Sequence, residues 1–449
     1  AMPGTKSCPP ARSIFNNARK EIDMSGKITV AICGMGIRGA EAYASYQKIR
    51  PEEMQVVAVA DPRPEQRELA VREFHVKPEL CFASGEELLA QKRLADVLII
   101  ATQDTDHVRY ALPALEKGYH LLVEKPISPK LEECIALREK AHECHRIVIV
   151  CHVLRYTQFY QKIFDLLNSG TIGKLETFHA TENVAYWHFA HSFVRGNWRR
   201  SDLSSPVILA KSCHDMDIFR WLVGKPCLRV SSFGSLDWFR AENAPAGSAM
   251  RCLDCAAKEN CPYDAEKIYI YNKKSGYRSG TRFWPLTVLC PEPTEESLYE
   301  AMRTGPYGRC VYHCDNNVAD HQVVNMEFAD GVVGTFTMSA FTQDCYRTIC
   351  LMGSMGEIEG NLEENAVYVR RFGQPEERIA LDPVSDEFAG HGGGDSRMME
   401  YMCRLASNGG QDALTSVDAS VESHIMALAA EESRLHDGAA IDLAEFAKK

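Results

Sequence analysis

The chain has 449 residues, 45% hydrophobic and 25% charged, the balance of a globular protein of two or three domains. Its formal net charge of −11 argues against nucleic acid or an anionic membrane as the main partner. No apolar run reaches the length of a membrane-spanning helix.

Residues 1–23 carry Pro3, Pro9, Pro10 and scattered charges without the apolar core of a signal peptide; they read as a tail, with Met24 as the natural start. Many of the 17 cysteines, such as Cys33, Cys81, Cys151 and Cys350, lie inside apolar segments. They read as free thiols of a cytoplasmic protein rather than as a disulfide framework.

Residues 28–33 are an apolar, β-branched run that reads as a buried strand. The run breaks at Gly34-Met-Gly-Ile-Arg-Gly39, and a helix is expected over about 39–48. In this G-x-G-x-x-G turn Gly34 allows the tight bend, Gly36 lets a pyrophosphate approach, and Gly39 lets helix and strand pack closely. The helix start, with Ile37 and Arg38, offers free N–H groups and positive dipole to the phosphates. The next strand, 55–60, ends at Asp61, 22 residues after Gly39, where a carboxylate meets the adenosine ribose 2′-hydroxyl. The glycines alone would predict only a tight turn. Strand, turn, helix, strand and acid together predict a dinucleotide site.

Strands at 96–101, 119–123 and 146–151 alternate with helices at about 63–74, 85–92, 106–117 and 131–144. Residues 28–151 are therefore expected to form a Rossmann-type, doubly wound parallel sheet. Right-handed crossovers bring the glycine turn and later strand ends to one edge. That edge gathers Thr102, Gln103, His107 and Glu124-Lys125-Pro126, in which Pro126 keeps Lys125 extended.

The glycine turn, Ala60-Asp-Pro62, Ala101-Thr102 with His107, and Glu124-Lys-Pro126 resemble the Gfo/Idh/MocA family of NAD(P)-dependent sugar and cyclitol oxidoreductases, over about residues 27–225. The resemblance implies a second α/β domain, here 152–449, whose open, mostly antiparallel sheet covers the active site and often makes the oligomer contact. A homo-oligomer is expected on that ground. It also implies hydride exchange between nicotinamide and a sugar carbinol or ketone. The second half agrees in outline. A helix at 155–167 and a long strand at 173–184 precede alternating segments at 321–328, 332–339 and 346–352. Asp330-Gly331 marks a hairpin turn, and helices return at 396–406 and 419–435.

The segment 183–200 mixes aromatic rings, His188, His191, three arginines and amides without helical or strand period. Aromatic faces cover sugar rings, and amides and guanidinium groups bond hydroxyls or a carboxylate. Tyr186, His188, His191, Arg195, Trp198 and Arg199 are the candidate substrate contacts; the alternative is a polar loop under an oligomer interface. Arg195, Arg199, Arg200 and Lys211 lie within seventeen residues in an acidic protein, which points to an acidic ligand such as a sugar acid.

Ser212, with Asp215 three residues on, has a capping-box spacing, so a helix is expected there with His214 in its first turn. The positive helix end keeps that imidazole neutral and able to accept a proton. Asp217 lies on the same face, placed to orient the ring. The stretch resembles the family's catalytic H-x-x-D helix, which implies proton handling by Lys125 and His214. Many family members carry an acid four residues before this histidine. Here that position is Ala210, followed by the cation Lys211.

Residues of about 240–315 read as an insertion. Cys252, Cys255 and Cys261 have the spacing of zinc thiolates, with Cys310 as first choice for a fourth ligand and Cys290, His313 and Cys314 as alternatives. A structural zinc would staple a loop that lacks a core; the alternative is unrelated free thiols.

The reading is an NAD-dependent oxidoreductase acting on a sugar or glycoside, with Asp61 favouring NAD over NADP and Arg63 tempering that preference. The rival is a glycosidase that oxidises, eliminates, hydrates and reduces with no net NAD use. Ala210, His188 and His191 fit that site too. A third reading is a non-enzymatic NAD-dependent sensor.

Overall fold

Two sheets organise the chain, one for each kind of hydrophobic pattern in the sequence. The computed structural model describes residues 27–382, 390–408 and 413–448; the expected tail and Met24 lie outside them. The first sheet holds β1 (Ile28–Cys33), β2 (Met54–Ala60), β3 (Cys81–Phe82), β4 (Val97–Ile100), β5 (His120–Val123) and β6 (Val148–Val150). All six pair in parallel in the order β3-β2-β1-β4-β5-β6. Helices pack on both faces, which is why β4 is buried at every residue and reads as a continuous apolar run. The strand order reverses between β1 and β4. A ligand crevice is expected beyond the carboxyl ends of such strands.

The second sheet holds β7 (Leu175–Ala185), β8 (Cys227–Ser235), β9 (His321–Phe328), β10 (Val333–Thr342), β11 (Tyr346–Gly353), β12 (Gly356–Asn361), β13 (Ala366–Arg371), β14 (Glu377–Ala380) and β15 (Ile441–Asp442). Their order is β14-β13-β12-β11-β7-β10-β9-β8-β15, antiparallel except for the β7–β10 pair. Burial alternates along β9 and β10 because one face is covered and the other is open. The helix Cys213–Val223 sits on the covered face, its Phe219 ring 5.0 Å from that of Phe178. Asp330 and Gly331 both take positive φ between β9 and β10, the hairpin turn their sequence predicts.

Two features depart from expectation. The division near residue 151 is not a single cut, because the C-terminal helices return to the first domain. Met398, Met399, Met402 and Cys403 join the core of Val30, Ile32 and Tyr43, and Val417 and Val421 close the opposite face. The insertion also packs into the core of the second domain: Tyr263, Ile268, Tyr269, Ile270, Leu286, Leu298 and Met302 are buried in one cluster with Phe178, Phe189 and Phe219. Short helical turns carry Ile268, Tyr269, Ile270 and Leu286, and the helix Glu295–Thr304 carries Leu298 and Met302. Among the described residues no helix is long and apolar enough to cross a membrane.

Candidate active site at the carboxyl edge of the parallel sheet

The glycine turn is built as its spacing requires. Gly34 has φ +90°, and a Cβ there would stand 2.4 Å from the Ala101 carbonyl oxygen. A Cβ on Gly39 would stand 1.9 Å from the Gly34 oxygen, so only glycine lets the following helix, Ile37–Ala44, sit against the turn. Gly36 differs. Its Cβ would meet only Arg63 Nη2 at 3.7 Å, which leaves the backbone open to a ligand.

Asp61, 2% exposed, accepts the Met35 N–H at 2.8 Å and is spanned by Arg63, whose Nε and Nη2 donate to its two oxygens at 2.9 Å. Burial opposes its charge, but the bonds from Arg63 and Met35 hold its carboxyl below the usual range. Asp61 thus lies against the glycine turn, with its charge shared by Arg63.

Thr102, Lys125 and His152 follow β4, β5 and β6, and so share the edge where the crevice is expected. Thr102 Oγ1 is enclosed with no hydrogen-bond partner among the described residues. Gln103 is exposed. His107 braces the loops, its Nδ1 2.7 Å from the Pro126 oxygen and its Nε2 3.2 Å from the Thr102 oxygen. Arg38 does not reach toward a phosphate with its side chain. It pairs with Glu124 at 2.5 Å and Asp395 at 2.6 Å and bonds the Tyr43 hydroxyl. Glu124 also accepts the Lys125 N–H at 2.9 Å, so this network fixes the lysine's backbone. Asp395 and its partner His391 come from a glycine-rich C-terminal stretch that the sequence reading missed.

Lys125 Nζ donates to the Ala210 oxygen at 2.9 Å, which brings the lysine to the start of the helix bearing His214. His214 is 4% exposed and its Nδ1 is enclosed without a partner. Burial, then the charges of Lys125, His152, Arg347 and His391, push its pKa well below the ordinary histidine value, so the ring is neutral at physiological pH. His152, missed by the sequence reading, is fully buried 5.8 Å from the His214 ring, and neither of its nitrogens has a partner.

Two expectations at this helix are corrected. Asp217 does not orient His214: both of its oxygens accept from Arg155 at 2.6 Å. Helical spacing placed the two residues on one face, but an arginine from 62 residues earlier captures the acid. Nor does the capping box form. Ser212 Oγ bonds nothing among the described residues, and Asp215 turns instead to Arg347 Nε at 2.9 Å. Glu182 Oε2 lies 2.5 Å from that same Nε, and Glu182 Oε1 lies 3.3 Å from Lys211. Glu182 on β7 and Arg347 on β11 are directly opposite in register, so both project to the covered face. Burial, aided by neighbouring Glu182, pushes the Asp215 carboxyl up to about 6.

The candidate substrate segment divides. His188 lies beside the Lys211–Arg347 cluster: burial, then Lys211, His191, Arg347 and Lys125, drive its pKa well down. Trp198 Nε1 donates to Asp104 at 3.2 Å, tying the segment to the first domain. The others face the insertion. Tyr186 packs near Tyr263, and His191 bonds the Tyr269 hydroxyl at 3.0 Å. Arg195 is fully buried, donating to the Arg309 and Tyr263 oxygens at 2.7 Å. Arg199 pairs with Asp315 and Arg200 with Asp202. These three arginines are structural pairings, which corrects the expectation that they form an anion site; only Lys211 remains in the cavity.

Cys252 donates to the Arg309 oxygen and accepts from Arg195 Nη2 at 3.3 Å, and Cys261 and Cys310 lie near it. Even so, among the described residues no three or more His, Cys, Asp or Glu side chains, Cys255 included, are grouped to hold a metal ion. The zinc expectation rested on the spacing of Cys252, Cys255 and Cys261 in a segment poor in core residues, and the described residues do not bring those thiols into a ligand set.

A six-stranded parallel sheet with a glycine turn at its switch point, joined to a mostly antiparallel sheet where Lys125 meets the helix bearing His214, defines a two-domain dinucleotide-dependent enzyme fold. The chain belongs to the Gfo/Idh/MocA oxidoreductase family: the NAD-binding Rossmann-fold profile matches residues 28–152 and the C-terminal alpha/beta-domain profile residues 165–440. YteT of Bacillus subtilis (strain 168), whose name goes no further than oxidoreductase, is 23% identical over 394 residues, 83% of this chain and 87% of that one. The 2,7-anhydro-N-acetylneuraminate hydratase of Escherichia coli (strain K12) is 24% identical over 207 residues, 46% of this chain and 52% of that protein, so the chain spans about half that relative's length. Levoglucosan dehydrogenase, solved in complex with NADH and levoglucosan, matches with a TM-score of 0.68 at 17% identity over 93% of this chain and all of the other, a likeness of fold.

Proposed function

We propose that the protein is an NAD-dependent oxidoreductase that exchanges a hydride between nicotinamide and a carbinol or ketone carbon of a sugar, cyclitol or related ring. The observation that carries this is the meeting of Lys125, His152 and His214 beyond the ends of the parallel strands: Lys125 Nζ bonds the Ala210 oxygen at 2.9 Å and the His152 and His214 rings lie 5.8 Å apart.

The residues fit a dinucleotide. Gly36 leaves room for the pyrophosphate, Asp61 stands where the ribose hydroxyls would come, and the helix start offers N–H groups. Asp61 favours NAD, since a 2′-phosphate would meet a carboxylate there, and Arg63 softens the discrimination. When bound, the nicotinamide supplies the hydride acceptor or donor. Lys125 donates a charge-assisted hydrogen bond to the reacting oxygen and stabilises it as an alkoxide forms. His214, neutral because of burial and nearby cations, accepts the hydroxyl proton during oxidation and returns it during reduction.

The redox glycosidase remains the second reading, favoured by a specific point: a relative named as a hydratase acts on a neuraminate, an acidic sugar. Exposed Phe233 and Val323, directly opposite on the open face of the second sheet, suit a contact between copies of the chain. Light scattering that gives the monomer mass would remove that last proposal.

The catalytic assignment is tested with His214→Asn and Lys125→Met, scored by NADH fluorescence and by turnover. Both variants should bind NADH and lose at least about a hundredfold in kcat. Near-normal turnover of His214→Asn would end its acid–base role.

A further inference from the structure

Arg347 is the most informative group in the cavity that the proposed chemistry leaves unused. Its side chain is 11% exposed, and its Nε is held between Asp215 at 2.9 Å and Glu182 at 2.5 Å. Those carboxylates take only the inner edge of the guanidinium. The terminal nitrogens, Nη1 and Nη2, form no hydrogen bond with any described residue, and neither is among the fully enclosed atoms. A guanidinium fixed at Nε with a free outer edge has the planar two-donor geometry that matches a carboxylate.

Charged groups of both signs surround it. Lys125, Lys211 and Arg347 are linked through the Ala210 carbonyl and the Glu182 carboxylate, so three cations line one region. Two buried carboxylates, Glu182 and Asp215, oppose them. His188 and His214 are neutral, each pushed down first by burial. Glu363, its carboxyl pushed up first by burial, also faces Arg347 and Lys211, and Glu124 faces Lys125.

We propose that the outer edge of Arg347 is the recognition fork for a carboxylate on the substrate, with Lys211 beside it, and that the enzyme acts on an acidic sugar or cyclitol rather than a neutral one. This rests on the oxidoreductase reading of the same cavity. It assigns specificity to a β11 residue outside the arginine-rich segment, whose arginines are spent on structural pairs.

The test measures binding of matched probes to full-length protein saturated with NADH: D-glucuronate against D-glucose, methyl β-D-glucuronide against methyl β-D-glucoside, and L-tartrate against threitol. Calorimetry and thermal protection are read for wild type, Arg347→Gln and Arg347→Lys. At least one acid should bind wild type about tenfold or more tighter than its neutral partner, as a two-point charged hydrogen bond provides. Arg347→Gln should lose that preference while weakening the neutral probe less than about threefold. Arg347→Lys keeps a cation for Glu182 and Asp215 but lacks the fork. It should keep the fold and only part of the preference, which preserves the test if the glutamine variant fails to fold. The proposal is overturned if no acid outperforms its neutral partner in wild type, or if both members of each pair weaken equally in the variants. NADH fluorescence separates the two levels. Wild type that binds NADH but shows no acid preference overturns the carboxylate fork alone, whereas failure of wild type to bind NADH overturns the oxidoreductase reading and this proposal with it.

Discussion

Lowering the pH from 7.5 to 5.5 should destabilise this protein through histidines that are buried neutral. His191 and His424 are 2% and 0% exposed, and burial leads the causes that push both pKa values down to about 3. An unfolded histidine titrates at about 6.5. The unfolded chain therefore takes up protons on acidification that the folded chain refuses, and stability present above pH 6.5 is lost progressively as pH falls below it. Between pH 7.5 and 5.5 each such ring removes about 1.4 kcal/mol, so these two remove roughly 3 kcal/mol. His152 and His214 are depressed in the same direction, first by burial, and add to the loss. Asp215 opposes it: with its carboxyl raised to about 6, the folded state takes up a proton that the unfolded aspartate does not, which returns about 0.8 kcal/mol by pH 5.5. The net loss should be about 2 kcal/mol or more, measured as urea midpoints and slopes at pH 7.5, 6.5 and 5.5. His424→Gln should flatten the profile by about 1 kcal/mol. A midpoint unchanged across this range would refute the claim that these rings are neutral in the folded state.

Three further outcomes follow from single positions. Gly36→Ala should leave the thermal midpoint nearly unchanged, because its Cβ meets nothing closer than 3.7 Å, yet weaken NAD; Gly39→Ala, with 1.9 Å to a carbonyl oxygen, should unfold the turn, as differential scanning fluorimetry would show. Asp61→Ala should weaken NAD far more than NADP in a fluorescence titration, and equal weakening of both would remove Asp61 from the ribose. Arg155→Met strands the buried Asp217 carboxylate and should cost about 3–5 kcal/mol in urea unfolding; a loss below about 1 kcal/mol would contradict the buried pair.

The sequence showed most clearly what depends on neighbours in the chain. Gly34, Gly36, Gly39 and Asp61 are readable because a phosphate-binding turn needs small residues and an acid at fixed spacing. The strands of the first sheet are readable because burial on both faces leaves an uninterrupted apolar run. The site's second side depends on pairings that no local pattern carries. Helical spacing gave Asp217 the right face beside His214 and could not reveal Arg155, which takes that acid from another element. Glu182 and Arg347 meet only because β7 and β11 pair in one register. His152 had a signal, a histidine just beyond a strand at the ligand-binding edge, and it was overlooked. Arg195 looked like a ligand residue because the carbonyls that take its guanidinium, those of Tyr263 and Arg309, lie 68 and 114 residues away in the chain.

The central claim is that this cavity moves a hydride to NAD and leaves it there. The most direct measurement mixes the purified protein, NAD⁺ and a panel of acidic and neutral sugars, cyclitols and glycosides, and counts NADH at 340 nm against product by mass spectrometry. One NADH per ketone formed, abolished in His214→Asn, is the predicted result. Product released from a glycoside with no NADH accumulating would contradict it and assign the site to redox-assisted elimination and hydration.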